Sequence, residues 1–310
     1  MESSSGQSRS KKSFSVQSMT GDLTRVLVCP PSHAGWDDPR KSAAWHDLGF
    51  HHPPRFIAAQ SQHEALCRLL AQARAEVLRL PTPQAENDLT LDAVYTHDSS
   101  LPTNRGLILM RPGKSTRIPE VRVHAAICAR HALPTLAEIE APGTAEAGDI
   151  VWLDERTLLV GQGYRTNRAG IEQLRAILGS ERVEVFAAPL PHQAGPSACL
   201  HLMSLMSMLD ERTILVDLPW LSVETVELLQ TRNFRLIEID HAEAHTLACN
   251  VLSLGSGRLI ALEENSSTNA RLREASFEVK TFPGSELCIN GGGGPTCLTR
   301  PLQRVSSEAR

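Results

Sequence analysis

Aromatic residues are scarce: phenylalanine, tyrosine and tryptophan make up 4 % of the 310 residues. A core of this size must therefore be built from Leu, Val, Ile and Ala rather than from stacked rings. Long apolar runs are missing as well, and none approaches the ~18 residues that a membrane-spanning helix needs. The opening stretch MESSSGQSRSKKSFSVQSMTGD has no apolar segment of the kind a secretory signal carries. Charge of one sign is not in excess. The formal net charge is −4, which gives no electrostatic case for nucleic acid or an anionic membrane as partner. The seven cysteines (29, 67, 128, 199, 249, 288 and 297) are odd in number and contain no C-x-x-C pair. That argues against a disulfide framework and a zinc ribbon, and a reducing, cytoplasmic setting is expected.

What is present reads as an ordinary globular chain, 41 % apolar and 21 % charged. Residues 1–22 are Ser-rich and polar and are expected to form a disordered tail. Residues 23–304 are expected to form a single catalytic domain. DERTLLV at 154–160 returns as DERTILV at 210–216. Each copy is a strand-like run, then a loop, then apolar residues at helical spacing: Ile171, Leu174, Ile177 and Leu178 in one, Val223, Val226 and Leu229 in the other. A further strand-like run follows each helix, RVEVFAA and FRLIEID. TRVLVCPP at 24–31, GLILMRP at 106–112 and RLIALEE at 258–264 begin similar units. The helical pattern after the first of these runs through EALCRLLAQARAEVL, residues 64–78. Strand starts about 50 residues apart indicate repeated modules packed round a shared centre. The last piece, CLTRPL, has a strand and no helix, so the first piece is expected to complete its module and join the two chain ends.

Near the C-terminus four glycines precede a single thiol, in NGGGGPTCLTRPL. Glycine permits tight bends and close approach, which can present Cys297 to a cavity. A buried structural cysteine is the plainer reading of that residue taken alone. Two other motifs carry little. RPGKST has Ile108 where a phosphate loop needs its first glycine. HAEAH at 241–245 places Glu243 between its histidines rather than beside the first, so the zincin pattern fails and a solvated helix start is expected.

VYTHDSSL (94–101), RPGKSTRIPE (111–120), EAGDIVWLDERTLLVGQGYRTN (146–167), LHLMSLMS (200–207) and GGGGPTCLTRPL (291–302) occur in this order. Together they resemble the guanidino-group-modifying (pentein) superfamily, which includes dimethylarginine dimethylaminohydrolases, arginine deiminases and amidinotransferases. The resemblance runs from about Thr24 to Leu302. It implies an α/β fold, a five-bladed α/β propeller with pseudo-fivefold symmetry, which agrees with the repeat. It implies Cys297 as nucleophile and His201 as general acid and base. Glu146 and Asp98 would grip the guanidinium, Arg117 and Arg165 would contact the substrate carboxylate, and Asp149 would touch substrate or hold its loop. A small-molecule arginine derivative is the expected partner. No metal or organic cofactor is expected, and a homodimer is compatible with the sequence.

The implied chemistry suits these residue types. A guanidinium is planar, cationic and resonance-stabilised, so its carbon resists attack. Carboxylates can hold its N–H groups in charge-assisted hydrogen bonds. A thiolate adds to the carbon, an imidazole protonates the departing amine, and the same imidazole then takes a proton from water. The bound cation itself favours the thiolate.

The deiminases and amidinotransferases of the superfamily carry an acid two residues beyond the histidine, where this chain has Met203. A neutral residue there suits a nitrogen whose donors are replaced by methyl groups. The resemblance therefore points to an N-methylated arginine cleaved to citrulline and an amine. Arginine deiminase, amidinotransferase and a non-catalytic arginine-binding protein are the alternatives. The segments 98–106 and 35–54 are the candidate lids, on polarity, glycine and proline.

Overall fold

The computed structural model describes residues 16–82, 89–196, 198 and 200–305. The elements along the chain are β1 (Asp22–Val28), α1 (Pro39–Ser42), α2 (Phe56–Gln72), β2 (Glu76–Arg79), β3 (Ser100–Thr103), β4 (Gly106–Leu109), α3 (Ile118–Arg130) and β5 (Thr135–Glu138). Then follow β6 (Ile150–Asp154), β7 (Thr157–Gln162), α4 (Arg168–Gly179), β8 (Glu184–Pro189), β9 (Met206–Met208), β10 (Thr213–Val216), α5 (Val223–Thr231) and β11 (Arg235–Glu238). The chain closes with β12 (Leu252–Gly255), β13 (Arg258–Leu262), α6 (Ser266–Glu274), β14 (Glu278–Phe282) and β15 (Arg300–Val305).

These strands make five three-stranded sheets: β15-β1-β2, β3-β4-β5, β6-β7-β8, β9-β10-β11 and β12-β13-β14. In every sheet the first strand runs antiparallel to the middle one, and the third is parallel to it. A helix supplies the crossover that each parallel step requires. β15 pairs with β1 from Asp22↔Val305 to Leu27↔Arg300, so the chain ends do share one sheet. The middle strands are almost wholly buried, whereas β2, β5 and β11 are exposed at both ends.

The repetition extends to the backbone that ends each helix. Arg74, Ala132, Arg182, Asn233 and Ser276 all have φ between 58° and 72°. The next residue in each case (Ala75, Leu133, Val183, Phe234, Phe277) donates its N–H to a carbonyl five residues back, on Leu70, Cys128, Leu178, Leu229 and Leu272. This left-handed stop satisfies late helix carbonyls and sets an apolar residue against the last turn. None of the five stop residues is glycine, although glycine avoids the Cβ cost of that conformation. The first of them corrects the sequence reading of 64–78 as one helix, since Arg74 ends the helix and Glu76–Arg79 is β2.

The start of α4 shows the local logic. Asn167 caps it, accepting the Gly170 N–H at 2.8 Å. Ile171, Leu174 and Leu178 then fall on one buried face. Replacing Leu174 by Ala would cost about 2–5 kcal/mol of stability.

Residues 1–15 of the expected tail lie outside the described residues. Residues 16–22 correct the remainder of that expectation, Asp22 already opening β1. Val16 N–H donates to Asn104 Oδ1 at 2.9 Å, and the buried Gln17 donates from Nε2 to Glu155 O at 3.2 Å. Cys29, Cys67, Cys128, Cys249 and Cys288 are in no disulfide. No helix among the described residues is long and apolar enough to cross a membrane.

Candidate active site

Before the first strand of each sheet stands one polar residue. Asp98 precedes β3, Glu146 precedes β6, His201 precedes β9, Asn250 precedes β12 and Cys297 precedes β15. Their separations follow the repeat, 55 residues from Glu146 to His201 and 47 from Asn250 to Cys297. One repeated position thus carries four chemistries: carboxylate twice, imidazole, amide and thiol. Asp98, His201 and Cys297 line a single cavity of about 640 Å³, together with Tyr95, Arg117 and Arg165.

The thiol is half-buried and its setting explains the glycines. A Cβ on Gly293 would lie 2.4 Å from the Tyr95 ring, and one on Gly291 would lie 2.0 Å from its Oη. The loop therefore packs its backbone directly on Tyr95, whose hydroxyl donates to Leu287 O at 3.1 Å. Gly294 meets Asn250 in the same manner. Asn250 accepts the Thr296 N–H at 3.0 Å through Oδ1, which turns its Nδ2 to donate to Cys297 Sγ at 3.1 Å. A fixed donor of this kind stabilises negative charge on sulfur.

His201 sits between two carboxylates. Its Nε2 is 2.7 Å from Glu146 Oε2, and its Nδ1 is 4.0 Å from Asp98 Oδ1. Gly148 packs against the ring, where a Cβ would come within 2.5 Å of Nδ1. Burial pushes the Glu146 carboxyl up, but the His201 hydrogen bond and charge outweigh it and hold it below its ordinary value. Asp98 is likewise raised by burial and more strongly lowered by His201 and Arg117, so it stays ionised. Asp149 behaves differently: burial pushes it up to about 6, with His201 offsetting only part. Asp98, Glu146 and His201 each present a ligand atom within 4.8 Å of the others, a spacing that could admit a metal ion.

The residues singled out from the sequence are brought to one region, with two shifts of position. Glu146 is fully buried behind His201 rather than on the cavity wall. Its Oε1 receives the Lys114 N–H at 3.2 Å and faces Arg165 Nη1 at 3.4 Å. Arg117 lines the cavity, yet it donates to Asp98 Oδ2, to Glu120 Oε2 at 2.8 Å and to Tyr95 O at 2.7 Å. It acts on Asp98 before it could act on a ligand. Arg165 is buried on the cavity wall, and Asp149 lies beneath, accepting the Leu202 N–H at 2.9 Å. Met203 is packed in the core and does not line the cavity.

Segment 98–106 is no lid: Ser99, Ser100 and Leu101 are buried and β3 starts at Ser100. Segment 35–54 does reach the cavity, through Leu48, Gly49 and His51. HAEAH forms a 3₁₀ turn, His241–Thr246, capped by Asp240, and both of its histidines face the cavity rim. Sequence reasoning missed Asn250 and Glu120. Asn250 could have been found by stepping one repeat length on from His201.

A family model described as arginine deiminase matches residues 89–232 and 218–304. The dimethylarginine dimethylaminohydrolase of Pseudomonas aeruginosa is 29 % identical over 196 residues, 63 % of this chain and 71 % of that protein. The Mycobacterium avium arginine deiminase is 27 % identical over 274 residues, 76 % of this chain and 67 % of that protein. Among solved structures, the P. aeruginosa dimethylarginine enzyme in complex with citrulline covers 90 % of this chain and 99 % of its own, with 24 % identity and a TM-score of 0.71. The N-terminal domain of ArgZ, a cyanobacterial arginine dihydrolase, covers 91 % of this chain and 98 % of its own, with 23 % identity and a TM-score of 0.76. The chain belongs to the arginine deiminase family, within the guanidino-group-modifying (pentein) superfamily.

Proposed function

We propose that this protein is a cysteine-dependent hydrolase that cleaves a C–N bond of an arginine-derived guanidinium. The observation that carries this reading is the single cavity lined by Cys297, His201 and Asp98, with Glu146 bonded to His201 from behind. A guanidinium on the cavity floor would donate to Asp98, which Arg117 and the Gly148 N–H (2.9 Å) hold in place. Cys297 thiolate adds to the guanidino carbon and forms a C–S bond. The C–N bond to the departing amine breaks as His201 gives that nitrogen its proton. Water then adds to the thiouronium carbon and passes a proton to His201. The C–S bond breaks, and a ureido product leaves with the thiolate restored. Glu146 orients the imidazole throughout.

Met203 is packed in the core, so the lack of an acid there does not choose the leaving amine; the similarity to a dimethylarginine dimethylaminohydrolase supports loss of a methylated amine. The family match to arginine deiminase favours a second reading, in which ammonia leaves. A colour assay for ureido product, run on arginine and on methylated arginines with amine and ammonia measured separately, tests both. Product with neither substrate class counts against hydrolysis. The five sheets of one topology, each presenting one site residue from the same position, also support a five-bladed propeller with pseudo-fivefold symmetry, its last module closed by the two chain ends.

A further inference from the structure

The floor of the cavity and its outer wall carry opposite hydrogen-bonding characters. The floor is acidic, with Asp98 and, behind it, Glu146. The outer wall presents the cations Lys114 and Arg165 and the imidazoles of His241 and His245. Two further carboxylates belong to that wall, and each is already engaged. Asp217, which is buried, meets His241 Nδ1 at 3.0 Å. Asp92, also buried, lies with Oδ2 2.6 Å from Lys114 Nζ, a charge contact whose angle is off the hydrogen-bond direction and which leaves that oxygen without contact to solvent. Lys114 Nζ also donates to Leu48 O at 2.7 Å, which leaves a third N–H for another acceptor.

A free amino acid brings an α-ammonium as well as a carboxylate. Among the described residues, the outer wall offers no carboxylate clear of a cation or an imidazole to receive that ammonium. It instead places the Lys114 ammonium against a buried carboxylate, where a ligand's own ammonium would have to compete with it. Like charges brought together in a partly desolvated cavity reject a ligand strongly. A carboxylate, in contrast, meets donors on several sides. The hollow of about 640 Å³ is also roomier than one free amino acid needs.

We propose that this cavity selects a guanidino acid without a free α-ammonium group, either lacking the α-amine or carrying it acylated, and that Lys114 is the specificity-determining residue. The inference rests on the reading of the floor as a guanidinium site and deepens it by narrowing the substrate to a guanidino acid in place of free arginine or methylarginine.

The test compares 5-guanidinopentanoate, Nα-acetylarginine, arginine and Nω-methylarginine. Ureido formation is measured with the unaltered protein, and calorimetric binding with Cys297→Ser. The guanidino acid lacking an amine, the acetylated one, or both should exceed arginine by at least about tenfold in kcat/KM and in affinity. Preference for the first alone indicates a des-amino substrate, and preference for the second alone an acylated one. Lys114→Met should move the ratio toward arginine by about tenfold or more, since it frees Asp92 for an ammonium. Arginine or Nω-methylarginine binding equally well or better overturns the inference, as does a folded Lys114→Met protein with an unchanged ratio. If that variant does not fold, the order of affinities in Cys297→Ser decides. Absence of turnover with every compound counts against the hydrolase reading alone, because binding still reports the preference. Failure of both guanidino acids to bind Cys297→Ser overturns the inference itself.

Discussion

The floor and the rim of the central cavity are built by different rules. At the floor and directly behind it, Asp98, Arg117, Glu120, Glu146 and His201 are all buried, and every one is tied to at least one other. Charges so enclosed must be compensated, and removing one partner leaves the other buried and unsatisfied. On the rim His51, His241, His245 and Trp220 are exposed or nearly so, come from loops that differ between modules, and sit in contact with solvent. The difference teaches where chemistry and selectivity reside. The floor is a coupled unit that cannot change one residue at a time. The rim can vary freely and so can set which molecule is admitted.

Substitutions should reproduce that division. Cys297→Ser is expected to have the largest effect, lowering turnover about ten-thousandfold or more while ligand affinity, measured by calorimetry, is retained. Unchanged turnover would remove Cys297 as nucleophile. Glu146→Gln should lower kcat by about 10²–10⁴, because the hydrogen bond at His201 Nε2 loses its charge, and the pH–rate profile should shift as well. Loss of thermal stability with a normal profile would mark Glu146 as merely structural. Asn250→Ala removes the donor at Cys297 Sγ and should lower kcat about tenfold to a hundredfold with little change in KM. On the rim, His241→Asn should alter KM by about threefold or less and leave kcat alone, since the side chain is exposed and its partner Asp217 keeps a donor. A fall in kcat comparable to that of Asn250→Ala would erase the distinction between floor and rim.

The smallest effect concerns stability against pH. Buried His124, with neither ring nitrogen bonded, is held down to about 3 by burial and by the charges of Arg117 and Arg300. Its folded-state value lies below the ordinary ~6.5, so the unfolded chain takes up the proton first. The stability it contributes is therefore lost as pH falls from about 6.5 toward 3. Glu120, pushed up to about 7, and Asp149, up to about 6, act in the opposite sense over part of that range. The difference between the unaltered protein and His124→Phe isolates the histidine. The variant should show a shallower decline of thermal midpoint between pH 6.5 and 4, and an unchanged slope would refute the assignment.

Much of the floor was legible in the sequence because each residue travels in a motif: THDSS for Asp98, EAGD for Glu146, LHLM for His201 and GGGGPTC for Cys297. The modules were legible because DERTLLV and DERTILV recur at equivalent strands, now β7 and β10. Asn250 was not, since ACNVLS has no distinctive neighbours and its partner lies 47 residues away. The bond of Arg117 to Asp98 was not legible, because nothing local announces a partner 19 residues upstream. The end of α2 was missed because its left-handed stop is Arg74, in a run whose apolar spacing continues unbroken. The rim resists reading for a related reason: its character comes from pairings, Lys114 with Asp92 and His241 with Asp217, that only the fold creates.

The most direct test is to mix the protein with a substrate guanidine, quench in acid within the first turnovers, and map modified peptides by mass spectrometry. A mass increase equal to the substrate less its departing amine, confined to the peptide bearing Cys297, is the predicted result. Product formation with Cys297 unmodified at every quench time, or with the adduct on another cysteine, would contradict it.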